Sequence, residues 1–178
     1  MTPDIVVTFW TEAGPDKWFA KDEAFDADLR VRFEAAHQTA ARGGFADWEE
    51  TPEGALALLL LTDQIPRNLY RGSAHAFATD TLARETTRRA IAKGFDKRFE
   101  AGLRCFFYLP FEHSETLVDQ LASVAHFQAL GDAEYTKYAI AHHDIIARFG
   151  RFPHRNAVMG RVTTAEEQKF LDSGGFTG

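Results

Sequence analysis

The sequence predicts an all-α protein, a single domain of antiparallel helical hairpins over residues 1–178. Three observations predict it. Apolar residues recur at spacings of three and four through most of the chain, the period of a helix with one buried face. Capping residues and glycine stops punctuate it at intervals suited to helices of two to six turns. Sustained period-two alternation is absent except at Ile5–Phe9, which is too short to build a sheet. A chain of 178 residues fits one domain and buries roughly 70% of its unfolded surface.

The elements follow in order. From Asp22 to Arg42, Phe25, Leu29, Phe33, Ala36 and Ala40 form one stripe, stopped by Gly43-Gly44. Glu53–Ile65 is leucine-rich behind Thr51-Pro52, a cap followed by proline where its missing N–H costs nothing. Ser73 can cap a helix running to Lys93, which Gly94 ends. Phe99–Tyr108 reads as a short aromatic helix that stops before Pro110. Ser114 opens the next, which runs to Leu130 and closes at Gly131; Ala133–Phe149 is another, ended by Gly150 and Pro153. Thr164–Leu171 carries a capping box, Thr164 with Glu167 three residues on.

Composition narrows the function classes. The net charge is -6, with 45% apolar and 26% charged residues, ordinary for a globular protein. The longest aliphatic stretch, Ala55–Leu61, is far short of the roughly 20 residues of a membrane span, so no membrane association is expected. Met1-Thr-Pro-Asp4 has no basic region that would mark a secretory signal. The single cysteine, Cys105, suits a reducing compartment and hence the cytoplasm. Residues 1–53 hold 12 acids and 5 bases, whereas residues 54–161 hold 11 acids and 14 bases. Eleven of the 14 arginines lie between Arg67 and Arg161, so a locally positive cleft or a set of internal ion pairs is expected. An acidic chain lacks the broad positive field that nucleic acid requires, so no nucleic-acid partner is expected.

Three polar stretches stand out. In Thr62-Asp-Gln-Ile-Pro-Arg-Asn-Leu-Tyr-Arg71, Asp63 continues the leucine stripe and turns inward, with Arg67 four residues on as its partner. Pro66 lacks an N–H, so the helix breaks or kinks there. Gln64, Arg67, Asn68 and Arg71 are then candidates to line a cleft. In Pro110–Thr116, His113 and Glu115 stand near a helix N-terminus, where free N–H groups favour anions. In the third, His142 shares the inward face of its helix with Tyr135, Ala139, Ile145 and Ile146 and reads as a core histidine. Asp144 and Arg148 are spaced as an i,i+4 pair, and Arg151, His154, Arg155 and Asn156 crowd the loop held by Gly150 and Pro153. That concentration of donors suits a carboxylate or phosphate.

Phe9-Trp10 with Trp18-Phe19, the run Asp63-Gln-Ile-Pro-Arg-Asn68, Phe107-Tyr-Leu-Pro110, His113-Ser-Glu115 and Arg148-Phe-Gly-Arg-Phe-Pro-His-Arg-Asn156 resemble the bacterial domain of unknown function 924 family. The resemblance covers nearly the whole chain and implies a tetratricopeptide-like helical fold. The phenylalanine usual after Gln64 is Ile65 here. A 34-residue consensus repeat is not visible; only the Arg-Asn pairs of Pro66-Arg-Asn68 and Pro153-His-Arg-Asn156 echo one another.

The leading functional expectation is a binding module whose cleft, lined by Gln64, Arg67, Asn68, Arg71, His113, Glu115, Arg148, Arg151, His154, Arg155 and Asn156, takes an anionic small molecule or peptide through its carboxylate or phosphate. The alternative is a metal-dependent phosphohydrolase of the His-Asp type, built on His113 and the doublet His143-Asp144. No catalytic residue or metal ligand is assigned. No cofactor is indicated, since neither a phosphate-cradling glycine loop nor a Gly-x-Ser-x-Gly elbow occurs. A third reading makes Trp10, Trp18, Phe19 and Trp48 exposed anchors for self-association.

Overall fold

The computed structural model describes residues 1–175, and among these every regular element is helical and none is a strand. The fold is all-α. No helix of the described residues is long and apolar enough to cross a membrane. Internal contacts group the chain into two units: Met1–Arg71 with His75–Pro110, and Gly72–Ala74 with the residues from Phe111 onward.

The first unit holds α1 (Pro3–Ala13), α2 (Pro15–Trp18), α3 (Glu23–Ala41), α4 (Pro52–Leu59), α5 (Ile65–Leu69), α6 (Asp80–Ala92) and α7 (Ala101–Arg104). The alternation at Ile5–Phe9 is helical, part of α1. Val6 and Trp10, four apart, are its fully buried positions, while Ile5 and Thr8 face outward; over so few residues the two periods cannot be told apart. Asp22 caps α3, accepting from the N–H groups of Ala24 and Phe25 at 3.0 Å each. Thr51 caps α4 through the N–H of Gly54 at 3.1 Å. Residue 54 must be glycine, because a Cβ there would lie 2.1 Å from the Trp48 carbonyl oxygen.

The core of this unit is Leu56, Leu59, Leu60, Leu61 and Ile65, all fully buried. Trp10 and Trp18 stand edge-on to Phe106 with centroids 5.7 and 5.0 Å away, and the Trp18 indole donates to the Trp10 carbonyl at 2.6 Å. Such edge-to-face pairs add about 0.5–1.5 kcal/mol each beyond their buried area. Trp10, Trp18 and Trp48 are thus core residues; of the four proposed anchors only Phe19 is exposed, at 55%.

Pro66 does not end the helix. The chain passes from α4 to α5 through one wide π turn, Leu60–Gln64, and the carbonyls near it are served by side chains. The N–H of Ile65 turns to Leu60 O. His37 Nδ1 donates to Leu61 O at 2.8 Å, and the Thr79 hydroxyl to Thr62 O at 2.6 Å. Arg67 donates to Asp63 O at 2.5 Å. A buried carbonyl left without a donor costs about 1–3 kcal/mol, so these side chains are what make the proline tolerable. The same demand explains where α6 begins. Thr79 precedes it but makes no side-chain cap, because its hydroxyl is committed to Thr62. Ser73 caps nothing in this helix; a 3₁₀ turn over Ala74–Phe77 intervenes. The aromatic segment is likewise shorter than expected: α7 tightens into a 3₁₀ turn at Cys105–Phe107, with Cys105 buried.

α8 (Leu109–Glu112) is a single turn. The second unit then contains α9 (Leu117–Leu130), α10 (Ala133–Phe149) and α11 (Ala165–Asp172). α9 and α10 pack on one another across the Gly131-Asp132 turn as an antiparallel hairpin, with Asp132 capping α10 through the N–H groups of Glu134 and Tyr135. Ser114 lies before α9 rather than opening it; its hydroxyl donates to Asp119 at 2.7 Å and accepts from the Thr116 N–H. Fully buried Gln120 reaches back from α9 to the carbonyls of Glu112 and Ser114 at 2.6 and 2.7 Å, which fixes the loop carrying His113. The capping box on α11 forms as read, Thr164 and Glu167 exchanging both hydrogen bonds.

Candidate functional site

In the first unit the predicted polar residues are gathered, but each is engaged with an acid. Buried Asp63 lies 3.3 Å from Arg67, the pair its spacing implies, and accepts from Gln64 at 2.6 Å. Arg67 also reaches Asp80 at 3.1 Å. Burial alone would lower the Arg67 pKa, but Asp63 and Asp80 outweigh it and raise it, so the guanidinium stays charged. Asn68 donates to Asp26 at 2.8 Å, and Arg71 grips the same carboxylate at 2.6 and 3.1 Å. Arg67 and Asn68 therefore tie α5 to α6 and α3, Arg71 ties the residues just after α5 to α3, and Gln64 braces Asp63.

The second unit repeats this arrangement with different residues. Asn156, fully buried, donates to Glu167 at 3.2 Å, and Arg151 clamps that carboxylate at 2.6 and 2.9 Å. The Arg151 pair, with the Thr164 N–H, holds Glu167 down to about 2 against the opposing effect of burial. The two echoing Arg-Asn sequences thus each supply an asparagine that shares a carboxylate with an arginine. Arg148 pairs with Glu166 at 2.9 Å rather than with Asp144, which takes His143 at 3.0 Å instead. Glu115 accepts from the Phe152 N–H at 2.8 Å and pairs with Arg161 at 2.7 Å, while Arg161 donates to the Phe152 carbonyl at 3.1 Å. Burial would raise the Glu115 pKa, yet Arg161 and the Phe152 N–H lower it, so the carboxylate is ionised.

Phe152 is the hub of this loop. The chain turns into it at Gly150, whose φ of 69° is left-handed and disfavours any side chain. Fully buried Phe152 meets the His142 ring edge-on at 5.6 Å, the His154 ring at 5.6 Å, and the Arg155 guanidinium over its face at 4.5 Å. His113 also approaches His142 edge-on, centroids 6.3 Å apart. Of the eleven candidates, His154 and Arg155 therefore pack on Phe152, and His113 meets His142, which the sequence assigns to the core and which Phe152 also touches. His142 Nδ1 lies 2.9 Å from the Tyr138 carbonyl, which can only accept, so that nitrogen carries hydrogen; a Glu112 carboxylate oxygen lies 3.3 Å from it. Burial drives the His142 pKa down to about 3, and the charges of His113, Arg155 and His154 push the same way. The ring is neutral, with the Glu112 carboxylate and three basic side chains around it. Glu112 is the member that sequence reasoning missed; its signal is a carboxylate directly before His113 in an otherwise apolar turn.

Among the described residues, no group of three His, Cys, Asp or Glu side chains could hold a metal ion. The metal-dependent hydrolase reading gains no support from the geometry.

With this geometry in hand, the comparisons bear on identity. The family model described as a bacterial protein of unknown function (DUF924) matches residues 6–175. The chain belongs to this family. A solved protein of unknown function from Agrobacterium tumefaciens is 48% identical, with a TM-score of 0.94 over 97% of each chain. A comparison with curated proteins finds no match. Family membership thus accounts for the fold and leaves the chemistry to be argued from the side chains.

Proposed function

We propose that this protein is a helical binding module and that the second unit takes a carboxylate- or phosphate-bearing small molecule or peptide at His113, His154 and Arg155. The observation that carries the reading is their gathering around one packed pair of buried rings, His154 and Arg155 on Phe152 and His113 on the neutral His142. Around His142, burial depresses the ring most and the charges of His113, Arg155 and His154 add to it, with Glu112 and Glu115 close by. Arginine has five N–H donors and histidine two ring nitrogens, so a ligand oxygen can join contacts already made. His113 and His154 are partly exposed, while Arg155 is buried behind them on Phe152. The histidines then admit the anion and Arg155 supplies fixed charge. The α9–α10 hairpin is consistent with a tetratricopeptide-like arrangement, and the lone buried Cys105 suits the cytoplasm.

The test is a thermal-shift and calorimetric titration with inorganic phosphate, phosphate monoesters and di- and tricarboxylates, with a chelator control. A ligand at about 100 times its Kd adds about 2.7 kcal/mol, several degrees of midpoint in a chain this long. His154→Gln and Arg155→Lys are expected to weaken binding at least tenfold while leaving the ligand-free midpoint within a few degrees. Arg155→Ala is the poorer probe, since it also removes the stacking on Phe152. Binding unchanged in both variants, or a shift that the chelator abolishes, overturns the reading.

A further inference from the structure

In the second unit, α9 is built with its polar side inward. Its buried positions are Asp119, Gln120, Ser123 and Phe127. Asp119 takes the Ser114 and Thr116 hydroxyls at 2.7 and 2.8 Å, and Gln120 holds the carbonyls of the loop before the helix. The outer positions Leu117, Val118, Leu121, Ala125 and Gln128 fall on one face at helical spacing. Leu117, Val118 and Leu121 are 45%, 78% and 54% exposed. A helix facing only water turns its apolar side in; this one shows it to solvent over about 21 Å, at 1.5 Å per residue. The only Asp, Glu, Lys or Arg on α9 is the buried Asp119. Among the described helices of ten or more residues, α9 alone exposes no charged side chain.

The charge pattern selects a second copy of the chain. A twofold interface sets each residue near its own equivalent, so a charged face repels itself and a neutral one does not. On α10, the exposed residues Lys137 and Asp144 are seven apart and share one face, and Lys137 lines a groove with Gln128 of α9. Asp144 accepts from His143 at 3.0 Å, a contact that leaves its side chain 71% exposed. The Phe127–Tyr135 ring contact at 5.7 Å sets the register of the antiparallel hairpin. Lys137 then stands level with Ala125 and Asp144 level with Val118, on either side of Leu121. A twofold axis at Leu121 that joins the two α9 helices antiparallel brings each Lys137 level with the partner's Asp144. A parallel pairing sets like charge against like. An anionic lipid surface finds no lysine or arginine on α9 to hold it.

We propose that the outer face of α9 is a self-association surface through which two copies of the chain dock antiparallel across a twofold axis at Leu121. The surface excludes His113, His154 and Arg155, so its test is independent of the anion site. One helix width over about four turns is small beside the roughly 800 Å² per partner of a standard interface, so the dimer is weak and its dissociation constant micromolar. Sedimentation equilibrium of the full chain over a concentration series is expected to show a reversible monomer–dimer transition. Leu121→Asp, at an exposed position, is expected to raise the dissociation constant at least tenfold with unchanged helical circular dichroism. Lys137→Asp and Asp144→Lys should each weaken the dimer several-fold, and the two together should restore it, since each reversed charge again meets its opposite. A chain that stays monomeric at every concentration overturns the proposal: if it then co-sediments with phosphatidylglycerol vesicles the occupant is lipid, and if not it is a different protein. A dimer that Leu121→Asp leaves intact, or that the paired reversal fails to restore, overturns it as well.

Discussion

Thr79→Val removes one hydroxyl and keeps the shape, so it isolates the price of the proline turn. The hydroxyl donates at 2.6 Å to Thr62 O, the carbonyl that would take the N–H of residue 66 if that residue were not proline. Both threonines are buried, at 7% and 1% exposure, so water cannot replace the lost donor. The expected loss is about 1–3 kcal/mol, a fall in midpoint of about 2–12 °C for a chain of this length. All three tryptophans, Trp10, Trp18 and Trp48, lie in the first unit, so their fluorescence during urea unfolding reports this unit alone. The decisive step is a double-mutant cycle with Pro66→Ala, which restores an N–H along the helix. In that background Thr79→Val is expected to cost at least 0.5 kcal/mol less, a coupling within the usual range for groups sharing a partner. Thr79→Ser, which keeps the donor, should cost far less than valine. Equal costs in the two backgrounds would refute the claim that the hydroxyl stands in for the missing amide.

The remaining predictions concern burial and crowding. The His142 pKa is depressed in the fold, so the unfolded chain binds a proton that the fold refuses. Its contribution is complete above about pH 6.5 and is lost as pH falls toward about 3. At one proton the slope is about 1.4 kcal/mol per pH unit, and the loss at pH 5 is about 2 kcal/mol; His142→Gln should flatten this part of an acid titration followed by circular dichroism, and a profile unchanged by the substitution counts against the buried neutral ring. Glu167, held down to about 2, adds a second loss confined to the window below about pH 4.5. Gly54→Ala places a methyl 2.1 Å from the Trp48 carbonyl and is expected to cost about 1–3 kcal/mol in urea unfolding, although alanine favours helix. A stabilised variant would show that the turn before α4 can move aside.

The parts of the fold governed by local rules were legible in the sequence. Thr51 and Thr164 cap the helices they precede, and the stripe from Phe25 to Ala40 faces inward. Several of the misreadings share a physical source, a side chain committed to a partner that periodicity does not register. Thr79 serves Thr62, so α6 starts late; Ser114 and Gln120 fix the loop before α9, so that helix starts at Leu117. Arg148 finds Glu166 eighteen residues on and ignores the aspartate one turn away. Periodicity cannot rank a local ion pair of a few tenths of a kcal/mol against a distant one whose geometry only the fold supplies.

The same reasoning separates binding candidates from structural ones. An excess of arginine over residues 54–161 invites a cleft, yet the acids that meet Arg71, Arg89, Arg148 and Arg151 are Asp26, Glu49, Glu166 and Glu167, all outside that stretch. The segmental charge balance therefore overstates the free positive charge, because folding pairs segments that the count keeps apart. What survives this correction is a matter of field rather than number. Around Asp26 and Glu167 each guanidinium closes on a carboxylate at 2.6 Å. Around His142, burial is the larger cause of the lowered proton affinity, and three basic side chains, His113, Arg155 and His154, add to it. Burial opposes any charge at that point, a proton or an anion alike, so the proposed anion site rests on the three basic side chains and not on the whole depression of the ring.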